Sequence, residues 1–396
     1  MSLKQVVILV GGLGTRLGKI TKKVPKPLIK INGKRFLDIL INNFVRYKFS
    51  KIILLTGYKF SKFKKSYHKK KIESTEIICL NEKKQMGTGG AVINSVSQLD
   101  DYFLLCNGDT FLNINYYDFF IRSNKKKVLN VAITKKNRNK RFSQLKLKKN
   151  LIVDFNSKNG NFTNTGYYII NKKKFISQNF KNKKSSLEQK IFPKLIKKKE
   201  CSYVKYDQPF LDIGIKKDLI NSSKFIENKS KRKFAILDRD GVINYDYGYV
   251  HKKKDFKLKP KIIEFVKLLN DNNFYVFVVS NQSGIGRGYY SENSVNKLHQ
   301  HLNDKLIEKG AHIDSFFIAP HYRFSKYQKF RKGTNLRKPN IGLFKIIEKN
   351  YQIKLNGSFM VGDQISDLNF AKRINIKYFD INRYKDISSL RRFIKF

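Results

Sequence analysis

Residues 234–241 read Phe-Ala-Ile-Leu-Asp-Arg-Asp-Gly. Four apolar residues in succession suit a strand buried on both faces of a parallel sheet. Asp238-Arg239-Asp240-Gly241 then falls at the strand's C-terminal end, where open α/β sheets bind their ligands. Two carboxylates two residues apart fit two tasks: one aims at a phosphorus atom, and the other, displaced along the turn, reaches the leaving oxygen. In isolation, Asp-x-Asp-Gly is equally compatible with a polar turn.

Three further elements favour the chemistry. Val278-Val279-Ser280-Asn281-Gln282-Ser283-Gly284 ends a second apolar run in a hydroxyl and an amide able to hold phosphate oxygens. Arg337-Lys338-Pro339 supplies positive charge. Val361-Gly362-Asp363-Gln364-Ile365-Ser366-Asp367 ends another run in two carboxylates suited to holding Mg²⁺ beside Asp238.

Working outward, short Val/Ile/Leu-rich runs recur between longer amphipathic segments, the alternation of α/β domains with mostly parallel sheets. Residues 6–10, 52–56, 77–80, 103–106 and 128–134 form one set of expected strands, and 234–237, 275–279, 315–318 and 359–361 a second. The polar stretch 227–233 separates them, so the expected organisation is a domain over 1–228, a linker over 229–233 and a domain over 234–396. A chain of 396 residues also exceeds what one hydrophobic core usually supports.

The first apolar run leads into Gly11-Gly12-Leu13-Gly14-Thr15-Arg16-Leu17 and then Val24-Pro25-Lys26-Pro27-Leu28. Glycines let backbone N–H groups, with Thr15 beside them, approach a triphosphate, and Arg16 and Lys26 add charge where pyrophosphate would depart. The Gly-Lys-Ser/Thr ending of a Walker A loop is missing.

The formal charge of +53, from 83 Lys and Arg against 30 Asp and Glu, would ordinarily suggest a nucleic-acid partner. Lysine is spread through every segment and Trp is absent, which reads instead as a biased codon supply with solvated lysine runs such as 125–127, 172–174 and 197–199. No nucleic-acid or membrane partner is therefore expected, although the charge would concentrate phosphate-bearing substrates. Cys79, Cys106 and Cys201 are far apart and set in apolar stretches, which indicates neither disulfides nor a cysteine metal site. No run reaches membrane-spanning length, and a cytoplasmic location is expected.

The four elements around Asp238 resemble the haloacid dehalogenase superfamily. Residues 244–251, Asn-Tyr-Asp-Tyr-Gly-Tyr-Val-His, and 283–290, Ser-Gly-Ile-Gly-Arg-Gly-Tyr-Tyr, are similar to its branch of heptose-bisphosphate and histidinol-phosphate phosphatases. The resemblance implies a HAD-like Rossmannoid fold, with Asp238 as nucleophile and Asp240 as acid and base. It implies Mg²⁺ held by Asp238, the backbone carbonyl of Asp240, and Asp363. Ser280, Asn281 and Lys338 would meet the phosphoryl group, and Arg287 and Arg337 the substrate. Many members of this branch carry a zinc loop of cysteines and a histidine. Here the matching stretches read Ala319-Pro320-His321 and Thr334-Asn335-Leu336, so no zinc is expected and the order of loop 322–333 is in doubt.

The first domain resembles the sugar-phosphate nucleotidyltransferases, which implies a Rossmann-like, GT-A-like α/β fold. Met86-Gly87-Thr88-Gly89-Gly90-Ala91 is similar to that family's nucleoside- and sugar-contacting loop. The resemblance makes Gly11, Gly12, Gly14, Thr15, Gly87, Gly89 and Gly90 nucleotide-binding. Asp109 of Asn107-Gly108-Asp109, and Asp212 of Phe210-Leu211-Asp212-Ile213-Gly214, become ligands of a second Mg²⁺. Asn164 and Glu188 become sugar contacts, and Arg16 and Lys26 neutralise the reacting phosphates.

Together the two resemblances imply one enzyme acting on sugar phosphates and a nucleoside triphosphate. It would remove the 7-phosphate of D-glycero-D-manno-heptose 1,7-bisphosphate and nucleotidylate the 1-phosphate, with GTP and the α-anomer preferred. Another sugar bisphosphate, another triphosphate, or a histidinol-phosphate-type phosphatase beside an unrelated transferase are the alternatives. Oligomeric state and channelling are left open by the sequence.

Overall fold

The computed structural model describes residues 3–394, apart from 83, 136–142, 156, 158, 181–183, 209 and 333. The chain divides into two compact units, Met1–Glu227 and Asn228–Phe396. The helix Lys216–Ser230 runs across that division.

The first unit is built on a ten-stranded sheet in the order Gln144–Lys148, Leu151–Phe155, Cys201–Lys205, Leu129–Lys135, Phe162–Asn171, Tyr102–Asn107, Gln5–Leu9, Lys51–Thr56, Thr75–Asn81 and Lys70–Ile72. The four strands from Tyr102–Asn107 to Thr75–Asn81 are parallel, as the apolar runs predict. The other half departs from that expectation. Phe162–Asn171 is antiparallel to both neighbours, and Gln144–Lys148 and Leu151–Phe155 form an antiparallel hairpin. Phe162–Asn171 escapes the sequence pattern because it buries Thr163, Asn164 and Thr165, polar residues tolerated inside only when bonded. Thr165 Oγ1, for example, donates to the Ala132 carbonyl at 2.7 Å. A separate ribbon pairs Thr110–Leu112 with Phe210–Asp212 and sets Asp212 opposite Thr110.

The second unit is a five-stranded parallel sheet in the order Ser315–Ala319, Tyr275–Asn281, Phe234–Leu237, Phe359–Gly362 and Lys377–Asp380. Phe234–Leu237 lies at its centre. Successive side chains of a strand point to opposite faces. Ala235 and Leu237 accordingly join Phe265, Leu269, Leu298 and Leu302 of helices Ile262–Asp271 and Glu292–Ile307. Phe234 and Ile236 join Leu343, Phe344, Phe370 and Ala371 of helices Gly342–Asn350 and Ile365–Arg373. Helices on both faces of a parallel sheet make this a doubly wound layer structure.

All three cysteines are free and buried in the first unit. The lysine runs are not uniformly solvated: the Lys125 ammonium lies 3.4 Å from the centre of the Phe120 ring. Burial pushes its pKa down to about 8. Among the described residues, no helix is long and apolar enough to cross a membrane.

His299, on helix Glu292–Ile307, is 4% exposed and stacks on Phe316 with ring centres 4.3 Å apart. Burial, with Arg239 adding to it, pushes its pKa down to about 3. A histidine held neutral in the fold stabilises it above its unfolded pKa, and that stability is lost as pH falls below about 6.5, because only the unfolded chain takes up the proton. Urea unfolding of the second unit should lose about 2 kcal/mol from this source between pH 7 and pH 5. His299→Leu should remove that part of the acid sensitivity; an unchanged pH dependence would contradict it.

Candidate active sites

In the second unit, neighbouring parallel strands end along one edge and gather the expected residues. Asp238 follows Phe234–Leu237, and its N–H donates to the Val361 carbonyl at 3.0 Å. Asp363 follows Phe359–Gly362 on one side, and Ser280 lies near the end of Tyr275–Asn281 on the other. Lys338 is 3% exposed; its Nζ lies 3.0 Å from Asp238 Oδ1 and 2.6 Å from Asp367 Oδ1. Carboxylate oxygens of Asp238, Asp363 and Asp367 lie within 4.8 Å of one another. Burial, opposed by Lys338 and reinforced by Asp367, pushes the Asp238 carboxyl up to about 7. Burial works against the Lys338 charge too, but Asp238 and Asp367 hold its pKa above the ordinary value. Burial likewise raises Asp363.

Three neighbouring carboxylates, only two of them in contact with the Lys338 ammonium, make an oxygen-rich donor set that a hard divalent cation suits. Asp363 Oδ1 is buried without a hydrogen-bond partner among the described residues, as a waiting ligand atom would be. The donor set therefore fits Mg²⁺, with Asp367 close enough to join Asp238 and Asp363. Gly241 makes the approach feasible. It adopts φ +84°, and a Cβ there would sit 2.2 Å from Asp363 Oδ2.

Asp240 is held from several sides. The Arg239 guanidinium, 0% exposed, forks onto both its oxygens at 2.7–3.1 Å and donates to the Val250 carbonyl at 2.6 Å. Asn244 Nδ2 and Gln282 Nε2 each donate to it at 2.9 Å. Gln282 Nε2 also donates to Ser280 Oγ at 2.9 Å, and Tyr290 OH to Gln282 Oε1 at 2.9 Å. Arg239, Asn244 and Gln282 were not singled out by the sequence, since no local pattern tells that they converge on one carboxylate. Asn281 departs from the expected phosphate contact. Its Oδ1 accepts from the Lys338 N–H at 3.0 Å and its Nδ2 donates to the Lys338 carbonyl at 3.2 Å, so both ends of its amide hold the lysine's backbone.

Arg287 lies 3.8 Å over the Tyr322 ring. Burial, and after it the Arg287 charge, lower the Arg337 pKa. The loop whose order the sequence left open carries its own fastenings: Tyr322 N–H donates to the Phe330 carbonyl at 3.0 Å, and Arg331 Nε to the Ser325 carbonyl at 2.6 Å. Phe330 packs with Ile285, Tyr290 and Val295, and its ring stands 6.4 Å from His321. Gly333, the loop's expected end, lies outside the described residues.

In the first unit, Gly11, Gly12, Gly14, Thr15, Arg16, Lys26, Gly87, Asp109 and Glu188 line one cleft of about 510 Å³. Lys26, 6% exposed, is ion-paired with Asp109. Gly108 lets Asp109 come this close: its N–H donates to the Leu9 carbonyl at 2.9 Å, and a Cβ there would meet Val10 Cγ1 at 2.7 Å. Asp212 is held beside it by the ribbon, where Ile213 N–H donates to the Asp109 carbonyl at 3.0 Å, and its own Oδ1 accepts from Gly214 N–H at 2.6 Å. Glu188 Oε1 accepts from Asn164 Nδ2 and from Tyr168 OH, each at 3.3 Å, and burial raises its pKa. Gly89 and Gly90 do not open on the cleft. Both donate their N–H to the Ser185 carbonyl, at 2.8 and 3.3 Å, so they dock the helix Gly87–Ser95 onto that segment. Glu82 and Lys184 line the cleft and were missed; Glu82 stands one residue beyond the strand Thr75–Asn81, a position that the strand-end rule itself marks.

Two family models match this chain. One, described as nucleotidyl transferase, matches residues 5–229, and the other, described as polynucleotide kinase 3 phosphatase, matches residues 233–384. The D-glycero-beta-D-manno-heptose-1,7-bisphosphate 7-phosphatase of Rhodopseudomonas palustris is 37% identical over 149 residues, 38% of this chain and 83% of the relative. The chain belongs to the nucleotidyl transferase family in its first unit and to that phosphatase family in its second. The D-glycero-alpha-D-manno-heptose-1,7-bisphosphate 7-phosphatase of Photorhabdus laumondii is 38% identical over 147 residues, 37% of this chain and 80% of the relative. The crystal structure of HddC from Yersinia pseudotuberculosis complexed with GMP-PN is 29% identical, with a TM-score of 0.50 over 57% of this chain and 100% of that one. The chain is thus an enzyme with a nucleotidyltransferase half and a HAD-like phosphatase half.

Proposed function

We propose that the enzyme removes the 7-phosphate of D-glycero-D-manno-heptose 1,7-bisphosphate and transfers a nucleotidyl group, GMP from GTP, to the resulting 1-phosphate, giving GDP-D-glycero-α-D-manno-heptose. The observation that carries this reading is the pairing of the two halves: relatives of one are heptose-1,7-bisphosphate 7-phosphatases, whose reaction leaves a 1-phosphate that a nucleotidyl transferase half can take as acceptor.

In the phosphatase half, an Asp238 oxygen attacks phosphorus, the bond from phosphorus to the sugar oxygen breaks, and Asp240 gives that oxygen a proton. Asp240, then a carboxylate, takes a proton from the water that hydrolyses the aspartyl phosphate. Lys338 neutralises the transferring group with Ser280 beside it, while Asn281 keeps Lys338 in place. Arg287 and Arg337 hold the substrate's remaining charge. Mg²⁺ held by Asp238, Asp363 and the Asp240 carbonyl, with Asp367 adjoining, would supply further charge stabilisation.

In the transferase half, a sugar 1-phosphate oxygen attacks the α-phosphorus as the bond to the bridging oxygen breaks and pyrophosphate leaves. Gly11, Gly12, Gly14 and Thr15 hold the phosphates, Gly87 lines the same cleft, and Gly89 and Gly90 fix the helix that Gly87 begins. Arg16 stabilises the pyrophosphate, Lys26 the α-phosphate, and Asn164 with Glu188 the sugar. Asp109 and Asp212 would hold a second Mg²⁺ and supply further charge stabilisation there. Positioning and fixed charge carry the rate in both halves.

Purified protein given Mg²⁺, heptose 1,7-bisphosphate and GTP should release phosphate and pyrophosphate in equal amounts and form the GDP-sugar. Phosphate release without transfer from any of the four common nucleoside triphosphates sinks the combined reading. Equal turnover of other sugar bisphosphates sinks the choice of heptose.

A further inference from the structure

Asp240 and Ser280 must meet different oxygens of one phosphorus atom, the leaving oxygen and a phosphoryl oxygen, so their mutual spacing matters as much as either position. They belong to different strands: Asp240 follows Phe234–Leu237, and Ser280 lies within Tyr275–Asn281. One side chain spans them. Gln282, 2% exposed, donates from Nε2 to Asp240 Oδ2 and to Ser280 Oγ, each at 2.9 Å. A planar amide holds its two hydrogens at a fixed angle, so both acceptors are tied to one rigid group. Because Ser280 Oγ accepts here, its own proton is left for a phosphoryl oxygen. Arg239 and Asn244 also hold Asp240, but their other bonds go to the Val250 and Tyr245 carbonyls, not to Ser280.

The amide works only one way round. A carboxylate accepts and cannot donate, so the nitrogen must face Asp240, and the amide oxygen then needs a donor in a buried setting. Tyr290 OH supplies it, donating to Gln282 Oε1 at 2.9 Å. Tyr290 is itself fixed: it is 9% exposed, stacks on His251 with ring centres 4.6 Å apart, and packs with Ile285, Val295 and Phe330. Its ring also fills the space beside Gly284, where a Cβ would lie 2.4 Å from Tyr290 Cε1. We infer that Gln282 is a positioning residue that keeps Asp240 and Ser280 in register with each other, and that Tyr290 orients it. The inference rests on the acid role proposed above for Asp240, and both residues act through their neighbours.

Leaving-group dependence tests this. A misplaced acid should slow the ester of an alcohol, whose leaving oxygen needs a proton, far more than p-nitrophenyl phosphate, whose phenolate departs without one. The readout is kcat/KM for the full chain with Mg²⁺, which runs from free substrate to departure of the leaving group and excludes hydrolysis of the aspartyl phosphate. In Gln282→Met it should fall about 10- to 100-fold with heptose 1,7-bisphosphate and only about 3-fold with p-nitrophenyl phosphate. Tyr290→Phe removes one hydroxyl, keeps the test open should Gln282→Met misfold, and should show the same split at about 3- to 10-fold on the heptose ester. Gln282→Glu keeps the acceptor for Tyr290 but sets a carboxylate against Asp240, and should do no better than Gln282→Met. Equal losses on the two substrates, or full activity in Gln282→Glu, overturn the inference. Asp240→Asn separates it from the reading beneath it. If that variant shows the split and those at Gln282 and Tyr290 do not, the positioning inference alone falls; if Asp240→Asn slows both substrates alike, the acid role falls and takes the inference with it.

Discussion

Asp238→Asn is expected to lower phosphate release by on the order of 10⁴-fold or more, the cost of removing a nucleophile that works as part of a unit. The replacement is nearly isosteric. It can still accept from the Arg239 N–H, which meets Asp238 Oδ1 at 2.7 Å, and from Lys338 at the same oxygen. The fold should therefore survive, and the loss should appear in kcat. Transfer of the nucleotidyl group to supplied heptose 1-phosphate, followed as pyrophosphate, should be unchanged. A folded Asp238→Asn protein that has lost both activities would show that the halves do not work independently.

The second large effect is expected in the other half. Asp109→Ala should lower nucleotidyl transfer by roughly 10³-fold or more, with phosphate release untouched. It also deprives Lys26, whose side chain is 8% exposed, of its counter-charge, and an unpaired charge in that setting is costly. The first unit of the variant should be less stable by about 1–3 kcal/mol. Asp109→Asn separates the two effects: it keeps an acceptor for Lys26 and most of the stability, yet should lose transfer nearly as completely. Transfer that survives in Asp109→Asn would remove Asp109 from the metal-holding role.

Much of this is legible in the amino-acid sequence, because parallel sheets write their strands as apolar runs and place their ligand residues at the ends. That rule marks Asp238, Asp363 and Gly11, whereas Asp109 is singled out only through the resemblance of Asn107-Gly108-Asp109 to a known family. What escaped obeys longer-range logic. The antiparallel strand Phe162–Asn171 buries polar residues whose side-chain partners include Ala132 of a neighbouring strand and Glu188 of a later helical turn, so it does not show as an apolar run. Gln282 and Asn244 are 42 and 4 residues from Asp240, and only the folded chain reveals that they share it. Asn281 and the pair Gly89 and Gly90 show the converse. Their residue types suit a phosphate site, but their hydrogen bonds are spent on the protein itself.

The wall beside the phosphatase site, fastened by a backbone bond from Tyr322 to Phe330 and by a phenyl ring set among Ile285, Tyr290 and Val295, is knit entirely from groups that do not change oxidation state. With no cysteine anywhere from residue 228 to the end of the sequence, peroxide or a disulfide has no thiol to convert on this half of the enzyme. The chain's three thiols all lie in the other half, where burial raises the pKa of each and so keeps it a protonated, unreactive thiol.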